Sequence, residues 1–194
     1  RGRTVLAVLG VNGAGKSTLG RAIAGLVPAR AGNVFFDGHD ITGWTPHRIR
    51  RAGLTYIPES RGIFPGLSVI DNIKMAVLQL GAKSAQTAGI EIAFDVFPAL
   101  RDRQHQRASS LSGGEQQMLA IARAISVRPR LIVADEMSLG LAPMLVEAVL
   151  EQLEIANNAG TTIVLIEQFV QRTLARSDDC IILNRGTVAW AGRS

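Results

Sequence analysis

The sequence predicts an α/β fold built on a mostly parallel sheet, with a helical subdomain inserted into it. Three observations predict this. Short apolar runs such as Leu131-Ile132-Val133-Ala134, suited to strands buried on both faces, alternate with stretches of helical period. A glycine-rich loop at residues 10–15 separates one such run, Val5-Leu6-Ala7-Val8-Leu9, from a helix-like segment. No convincing strand lies between residues 68 and 127. Alternating strands and helices imply right-handed crossovers between parallel strands.

The elements follow in order. Residues 17–26 predict the helix that leaves the glycine loop, closed by Pro28 and the Ala31-Gly32 turn. Val34-Phe35-Phe36, Asp37-Gly38 and His39-Asp40-Ile41 read as a small hairpin. Thr45-Pro46 is a cap followed by proline, opening a helix that ends near Gly53. Leu54-Thr55-Tyr56-Ile57 is a core strand stopped by Pro58-Glu59, and a turn-rich loop follows. Ser68-Val69-Ile70-Asp71 starts a helix to about Leu80. A further helix is expected over residues 88–97, with Ile90, Ala93, Phe94 and Phe97 on one face. After the strand at 131–134, Pro143 opens a helix through Ala156. A strand at 161–166, a short helix at 170–175 and strands at 179–183 and 187–191 complete the chain.

The 194 residues suit one domain, 1–194, with the helical subdomain at about 68–127. A hydrophobic content of 47% fills a real core. Lys plus Arg number 21 against 16 Asp plus Glu, a scattered excess that suits an anionic ligand but does not indicate nucleic acid. No apolar run approaches a membrane span, and no secretory signal opens the chain. The single cysteine, Cys180, lies in a strand-like run, which excludes an internal disulfide and suggests a cytosolic setting. The chain opens on Arg1 rather than Met, close before the first core strand, and N-terminal truncation is expected.

Gly10-Val11-Asn12-Gly13-Ala14-Gly15-Lys16-Ser17-Thr18, set between strand and helix, has P-loop order, and the core expected is that of a P-loop NTPase. The glycines let successive N–H groups converge on phosphate oxygens, and the helix adds its positive end. Lys16 is expected to reach the β- and γ-phosphates, and the Ser17 hydroxyl to join a Mg²⁺ shell. Asp135-Glu136 follows the apolar strand directly. A carboxylate there lies at the carboxyl edge of the sheet, where α/β folds bind ligands, so Asp135 suits Mg²⁺ and Glu136 the attacking water. Leu111-Ser112-Gly113-Gly114-Glu115-Gln116-Gln117 opens a helix through Ala124 with a capping box, Ser112 to Glu115. The box explains the serine and glutamate. Two glycines in the first turn weaken a helix unless something approaches its backbone closely, so Ser112, Gly113 and Gly114 suit a second phosphate site.

These residues resemble the ATP-binding-cassette (ABC) ATPases, whose signature is LSGGQ, over essentially the whole chain. The resemblance implies a head-to-tail dimer with a second ABC ATPase subunit, homo- or heteromeric. The dimer sandwiches two MgATP between the P-loop of one protomer and Ser112-Gly113-Gly114 of the other. Pro58-Glu59, Phe64-Pro65, the 111–117 motif continuing Met118-Leu119-Ala120-Ile121, Ser138-Leu139-Gly140-Leu141-Ala142-Pro143 and Glu167-Gln168 are similar to the ATPase subunits of branched-chain amino-acid importers. That branch implies a peripheral subunit on the cytoplasmic membrane face, docked beneath permease subunits, with no nucleic-acid partner. Three positions depart from the broader family: Glu59 stands for a Gln that contacts Mg²⁺ and water, Gln168 for a switch His, and Met137 for a Pro. Glu59 and Gln168 are expected to sense the γ-phosphate. The adenine-stacking aromatic of the family lies upstream of the first strand, where this chain has no counterpart. That upstream segment normally supplies antiparallel strands as well, so an exposed sheet edge is expected. The Arg48, Arg50, Arg51 cluster and the 101–107 stretch read as solvated helix faces, and Trp44 and Trp190 as packing residues. The alternatives are a soluble ABC ATPase of a non-transport machine and a non-hydrolysing switch.

An amide at position 168 does not titrate near neutrality, so the pH dependence of turnover is expected to follow Glu136. A pH–rate limb near 6.5 that survives in both Glu136→Gln and Glu59→Gln would contradict this.

Overall fold

The computed structural model describes residues 4–138 and 143–194; the Leu139-Gly140-Leu141-Ala142 part of the motif at 138–143 lies outside them. Two compact units share the chain. The first takes residues up to Tyr56, Arg130–Glu136 and Thr161–Ser194, and the second takes Ile57–Pro129 and Met137–Gly160.

The first unit is built on a six-stranded sheet. Its strands are β1 (Val5–Leu9), β4 (Leu54–Ile57), β5 (Leu131–Asp135), β6 (Thr162–Ile166), β7 (Asp179–Asn184) and β8 (Thr187–Arg193), in spatial order β4-β5-β6-β1-β7-β8. β1 pairs in parallel with both β6 and β7, and β5 with β6, so these strands deliver their carboxyl ends to one edge. β8 returns antiparallel to β7 at the far edge, where it is largely exposed. Trp190, expected to pack, is 46% exposed on this strand because, among the described residues, β8 has no further strand beside it. The short hairpin β2 (Phe35–Phe36) and β3 (His39–Asp40) forms a separate two-stranded sheet.

Helix α1 (Lys16–Ile23) packs on β5 and β6. It does so through Gly20, where a Cβ would lie 2.8 Å from Ile166 Cδ1 and 3.3 Å from Tyr56. The core beneath it joins Val8, Ala14, Leu54, Val133, Val164 and Ile166, with Trp44 packed alongside. Helix α2 (Pro46–Arg51) begins at Thr45, whose side chain accepts from the Arg48 N–H. Arg48 stacks over Trp44 at 3.6 Å from the ring centroid, and Arg50 is half-buried, so this cluster is less solvated than the sequence suggests. Cys180 is 1% exposed, and burial pushes its thiol up.

The second unit is helical: α3 (Val69–Val77), α4 (Lys83–Val96), α5 (Pro98–Asp102), α6 (Gly113–Ile125) and α7 (Pro143–Asn158), with the expected 68–127 stretch inside it. Helices α3, α4 and α6 pack pairwise, and α7 packs on α6. Asn72, fully buried on α3, donates to the Phe64 carbonyl and accepts from the Phe64 N–H, which pins the preceding loop. Arg123 of α6 adds bonds to the Asn72 and Gly62 carbonyls. Helix α4 begins five residues before the expected Ala88. Its first turn is polar and shows no apolar period, and the Gln86 amide donates back to the Gly81 carbonyl, stabilising that start. In the 101–107 stretch, Arg101 bridges Glu91 and Asp95, and Arg103 pairs with Glu115. A short helix, α8 (Val170–Leu174), lies back in the first unit, against β1.

Gly89 sits mid-helix in α4 because a Cβ there would overlap the backbone carbonyl of Ser126 and lie 2.9 Å from Val77. Helix propensity favours alanine by about 1 kcal/mol, whereas overpacking against backbone costs about 1–3 kcal/mol. Gly89→Ala is therefore expected to lower the urea midpoint, while Ser84→Ala, exposed in the same helix, leaves it level or slightly higher. Stabilisation by Gly89→Ala would show that the approach of α4 to α6 is looser than described.

Candidate phosphate and carboxylate site

The site grows from the carboxyl end of β1. Gly10 has φ 155°, and a Cβ there would lie 2.5 Å from the Leu183 carbonyl oxygen, so only glycine lets the chain leave the sheet at this point. The loop then turns through Val11 to Ala14, closed by the Ala14 N–H donating to the Val11 carbonyl at 3.0 Å. Gly13 at φ 80° and Gly15 at φ 99° carry it into α1. The Gly186 N–H donates to the Ala14 carbonyl at 2.9 Å, fastening the loop to the β7–β8 turn. Asn12, Gly13 and Thr18 are exposed and Ala14 is buried. The first N–H groups of a helix such as α1 lack intrahelical partners by geometry, a donor array suited to an anion.

The charges sit deeper. Lys16 is 3% exposed, and its ammonium donates to the Gly10 carbonyl at 2.9 Å and the Val11 carbonyl at 3.4 Å. It forms an ion pair at 3.2 Å with Glu136 Oε1. Ser17 Oγ donates to Asp135 Oδ1 at 3.0 Å, and the Tyr56 hydroxyl donates to Oδ2 at 2.6 Å. Asp135 is fully buried. Glu136 follows at φ 47°, a conformation that costs a non-glycine residue energy, and its N–H is held by the Ile166 carbonyl at 2.9 Å. The Gln168 amide, just past β6, donates to Glu136 Oε2 at 2.9 Å. Thus the first unit brings together two adjacent bonded sets, Lys16–Glu136–Gln168 and Ser17–Asp135–Tyr56, joined through the consecutive residues 135 and 136. Gln168, expected to face a γ-phosphate, holds Glu136 here. Met137 is buried at 2% exposure.

In the second unit, Ser112 caps α6. Its side chain accepts from the Glu115 N–H, and Glu115 Oε2 accepts from the Ser112 N–H at 2.8 Å. Those Ser112 contacts, backbone first, and the Arg103 charge hold the Glu115 carboxyl below the usual carboxylate range. Ser112 and Gly113 are exposed, as a phosphate site at a helix N-terminus requires. Gly114 is buried, and a Cβ there would lie 2.7 Å from Leu145 Cδ1, so its smallness also serves packing against α7 rather than ligand approach alone. Glu59 is exposed in the turn after β4, in the second unit, whereas Ser17 and Asp135 belong to the first.

The donors suit Mg²⁺ carried by phosphates. Ser17 and Asp135 offer hard oxygen ligands, and no cluster of three His, Cys, Asp or Glu suited to a metal exists among the described residues. One carboxylate and one hydroxyl complemented by phosphate oxygens and water is a common Mg²⁺ arrangement. Apolar periodicity places Tyr56 simply in a core strand, and its role beside Asp135 shows only in its half-buried phenol, which needs a polar partner.

A family model described as ABC transporter matches residues 1–138. A probable branched-chain amino acid transport ATP-binding protein LivF of Archaeoglobus fulgidus is 37% identical over 190 residues, covering 97% of this chain and 80% of the relative. The lipopolysaccharide export system ATP-binding protein LptB of Escherichia coli is 35% identical over 187 residues, 94% of this chain and 76% of that one. The ADP conformation of an ATP-binding cassette of an ABC transporter superposes with TM-score 0.88 at 24% identity, over all of this chain and 81% of that one.

Tyr56 is the chain's one tyrosine, so its ionisation is directly observable. Burial, then the hydrogen bond to Asp135, raise its hydroxyl from 10.0 to about 12, against a contact from Arg21 that lowers it. A raised value favours the neutral phenol in the folded state. The resulting stability is fully present below the unfolded value of 10.0 and lost as pH rises through about 12. The phenolate absorbance is expected to appear near 12 in native protein and near 10 in urea, and Asp135→Asn to lower the native midpoint. A native midpoint at the unfolded value would contradict the Tyr56–Asp135 bond.

Proposed function

Because the chain belongs to the ABC transporter family and is an ATPase of its ATP-binding cassettes, we propose that it powers import of a small solute, a branched-chain or related amino acid, through a membrane permease. The observation that carries the ATPase part is the Lys16–Glu136–Gln168 group beside Ser17–Asp135. Residues 12–18 bind the phosphates, with Gly10 shaping the loop. Ser17 and Asp135 hold Mg²⁺, which supplies positive charge to the phosphate oxygens when bound. A γ-phosphate beside Lys16 competes with Glu136 for the ammonium N–H groups. Glu136 Oε1 is then released to accept a proton from water as the water oxygen attacks phosphorus and the β-phosphate oxygen leaves. Gln168 keeps the carboxylate aimed while this happens.

ABC ATPases work as dimers, and Ser112, Gly113 and Gly114 complete the nucleotide site of a second subunit. That explains why one chain carries two anion-binding helix ends. The subunit works on the cytoplasmic membrane face; no helix among the described residues is long and apolar enough to cross the bilayer. Import of amino acids is supported by the similarity to the Archaeoglobus fulgidus protein and by the Pro58-Glu59, Phe64-Pro65 and Glu167-Gln168 pairs. The likeness to an export-system subunit is nearly as strong and favours a second reading, outward transport.

Glu136→Gln is expected to keep ATP binding while slowing turnover by about 10²–10⁴-fold; hydrolysis at the wild-type rate would remove Glu136 from the mechanism. With its permease in vesicles, the protein is expected to drive leucine uptake on addition of ATP. ATP hydrolysis with extrusion and no uptake would establish the export reading.

A further inference from the structure

Asp135 is held from two sides, by Ser17 of α1 and by Tyr56 of β4. Ser17 and Arg21, four residues apart on α1, lie on the same face of it. Ser17 donates directly to Oδ1 at 3.0 Å, while Arg21 contacts the Tyr56 hydroxyl, which in turn donates to Oδ2 at 2.6 Å. Both carboxylate oxygens are therefore engaged, and the carboxylate is fully buried. Left with Ser17 alone, it could rotate about its terminal torsion, where side-chain preferences are broad. Tyr56 comes from β4, the strand beside β5, and is half-buried against Gly20 of α1. A phenylalanine would supply the same ring and packing. What the hydroxyl adds is direction.

We propose that Tyr56, steadied by Arg21, is a positioning residue that fixes the Asp135 carboxylate so that Oδ1 and the Ser17 hydroxyl present a paired oxygen site to the divalent cation of MgATP. The inference rests on the metal role assigned to Ser17 and Asp135 above. Hydrogen-bond partners behind a metal ligand typically change metal affinity about 10–100-fold. Tyr56 is well placed for this role because it touches the oxygen opposite Ser17 and leaves the loop carbonyls around Lys16 untouched.

The test uses Mn²⁺ as a paramagnetic probe on the whole chain in a Glu136→Gln background, where ATP consumption is slowed about 10²–10⁴-fold. ATP affinity is measured in chelator, and Mn²⁺ affinity of the ATP-loaded protein by electron paramagnetic resonance. Tyr56→Phe is expected to leave chelator ATP affinity unchanged and to weaken Mn²⁺ about tenfold or more. Arg21→Gln is expected to move Mn²⁺ affinity the same way by less, giving a second reading should the phenylalanine variant fold poorly. Unchanged Mn²⁺ affinity in both variants would overturn the proposal. So would equal losses with and without the metal, which mark a packing role. Protein with Tyr56 intact that binds no Mn²⁺ with ATP would instead sink the assignment of Ser17 and Asp135.

Discussion

Two adjacent carboxylates at the end of β5, each tied to a neighbouring residue at the start of α1, are the constraint on which the site depends. Asp135 meets Ser17 and Glu136 meets Lys16, so two consecutive residues of one element lock onto two of another. The pairing needs three things at once. β5, β6 and β1 must run in parallel so that their ends share an edge; the loop after β1 must turn sharply enough to aim α1 back at it; and Glu136 must leave the extended backbone. The φ of Glu136 and the glycine at position 10 are the local costs. The ion pair between groups of 3% and 11% side-chain exposure contributes little net stability, since desolvation offsets its attraction. Its value is placement. Losing either partner would leave a mostly buried charge uncompensated.

The second unit has a different character. Its core is made by three helices packing pairwise, and its polar bonds pin loops: Asn72 and Arg123 hold the segment between β4 and α3, and the capping box fixes the start of α6. Ser112 and Gly113 stay exposed on this framework. A rigid helix end with no bulky side chain suits a phosphate delivered by another subunit. The chain thus carries a mostly buried Lys16–Glu136 ion pair in one unit and an exposed helix N-terminus at Ser112 and Gly113 in the other.

Much of this was legible in the residues. Strand positions followed from short apolar runs, and β4, bounded by Gly53 and Pro58, matched residue for residue because both flanks are breakers. That the loop at 10–18 meets Asp135 and Glu136 at one sheet edge was legible because both follow parallel core strands directly. The start of α4 was not, since Lys83, Ser84, Gln86 and Thr87 show no apolar stripe and the helix is held there by packing and a Gln86–Gly81 bond. Tyr56 stayed hidden because apolar periodicity describes a ring and is silent about a hydroxyl. The packing reason for Gly114 is not legible in the sequence, as contact with Leu145 depends on pairing that no local pattern reveals.

Complementation between dead subunits tests the central claim, that the loop at 10–18 and the Ser112-Gly113-Gly114 helix end serve the same nucleotide in different protomers. Lys16→Ala and Gly113→Asp are each expected to abolish ATPase activity alone. A mixture re-equilibrated through monomers forms dimers in which an intact loop from one chain faces an intact helix end from the other. Recovery of hydrolysis in that mixture is the result expected here. Activity that stays absent while mixed dimers are shown to form would contradict it.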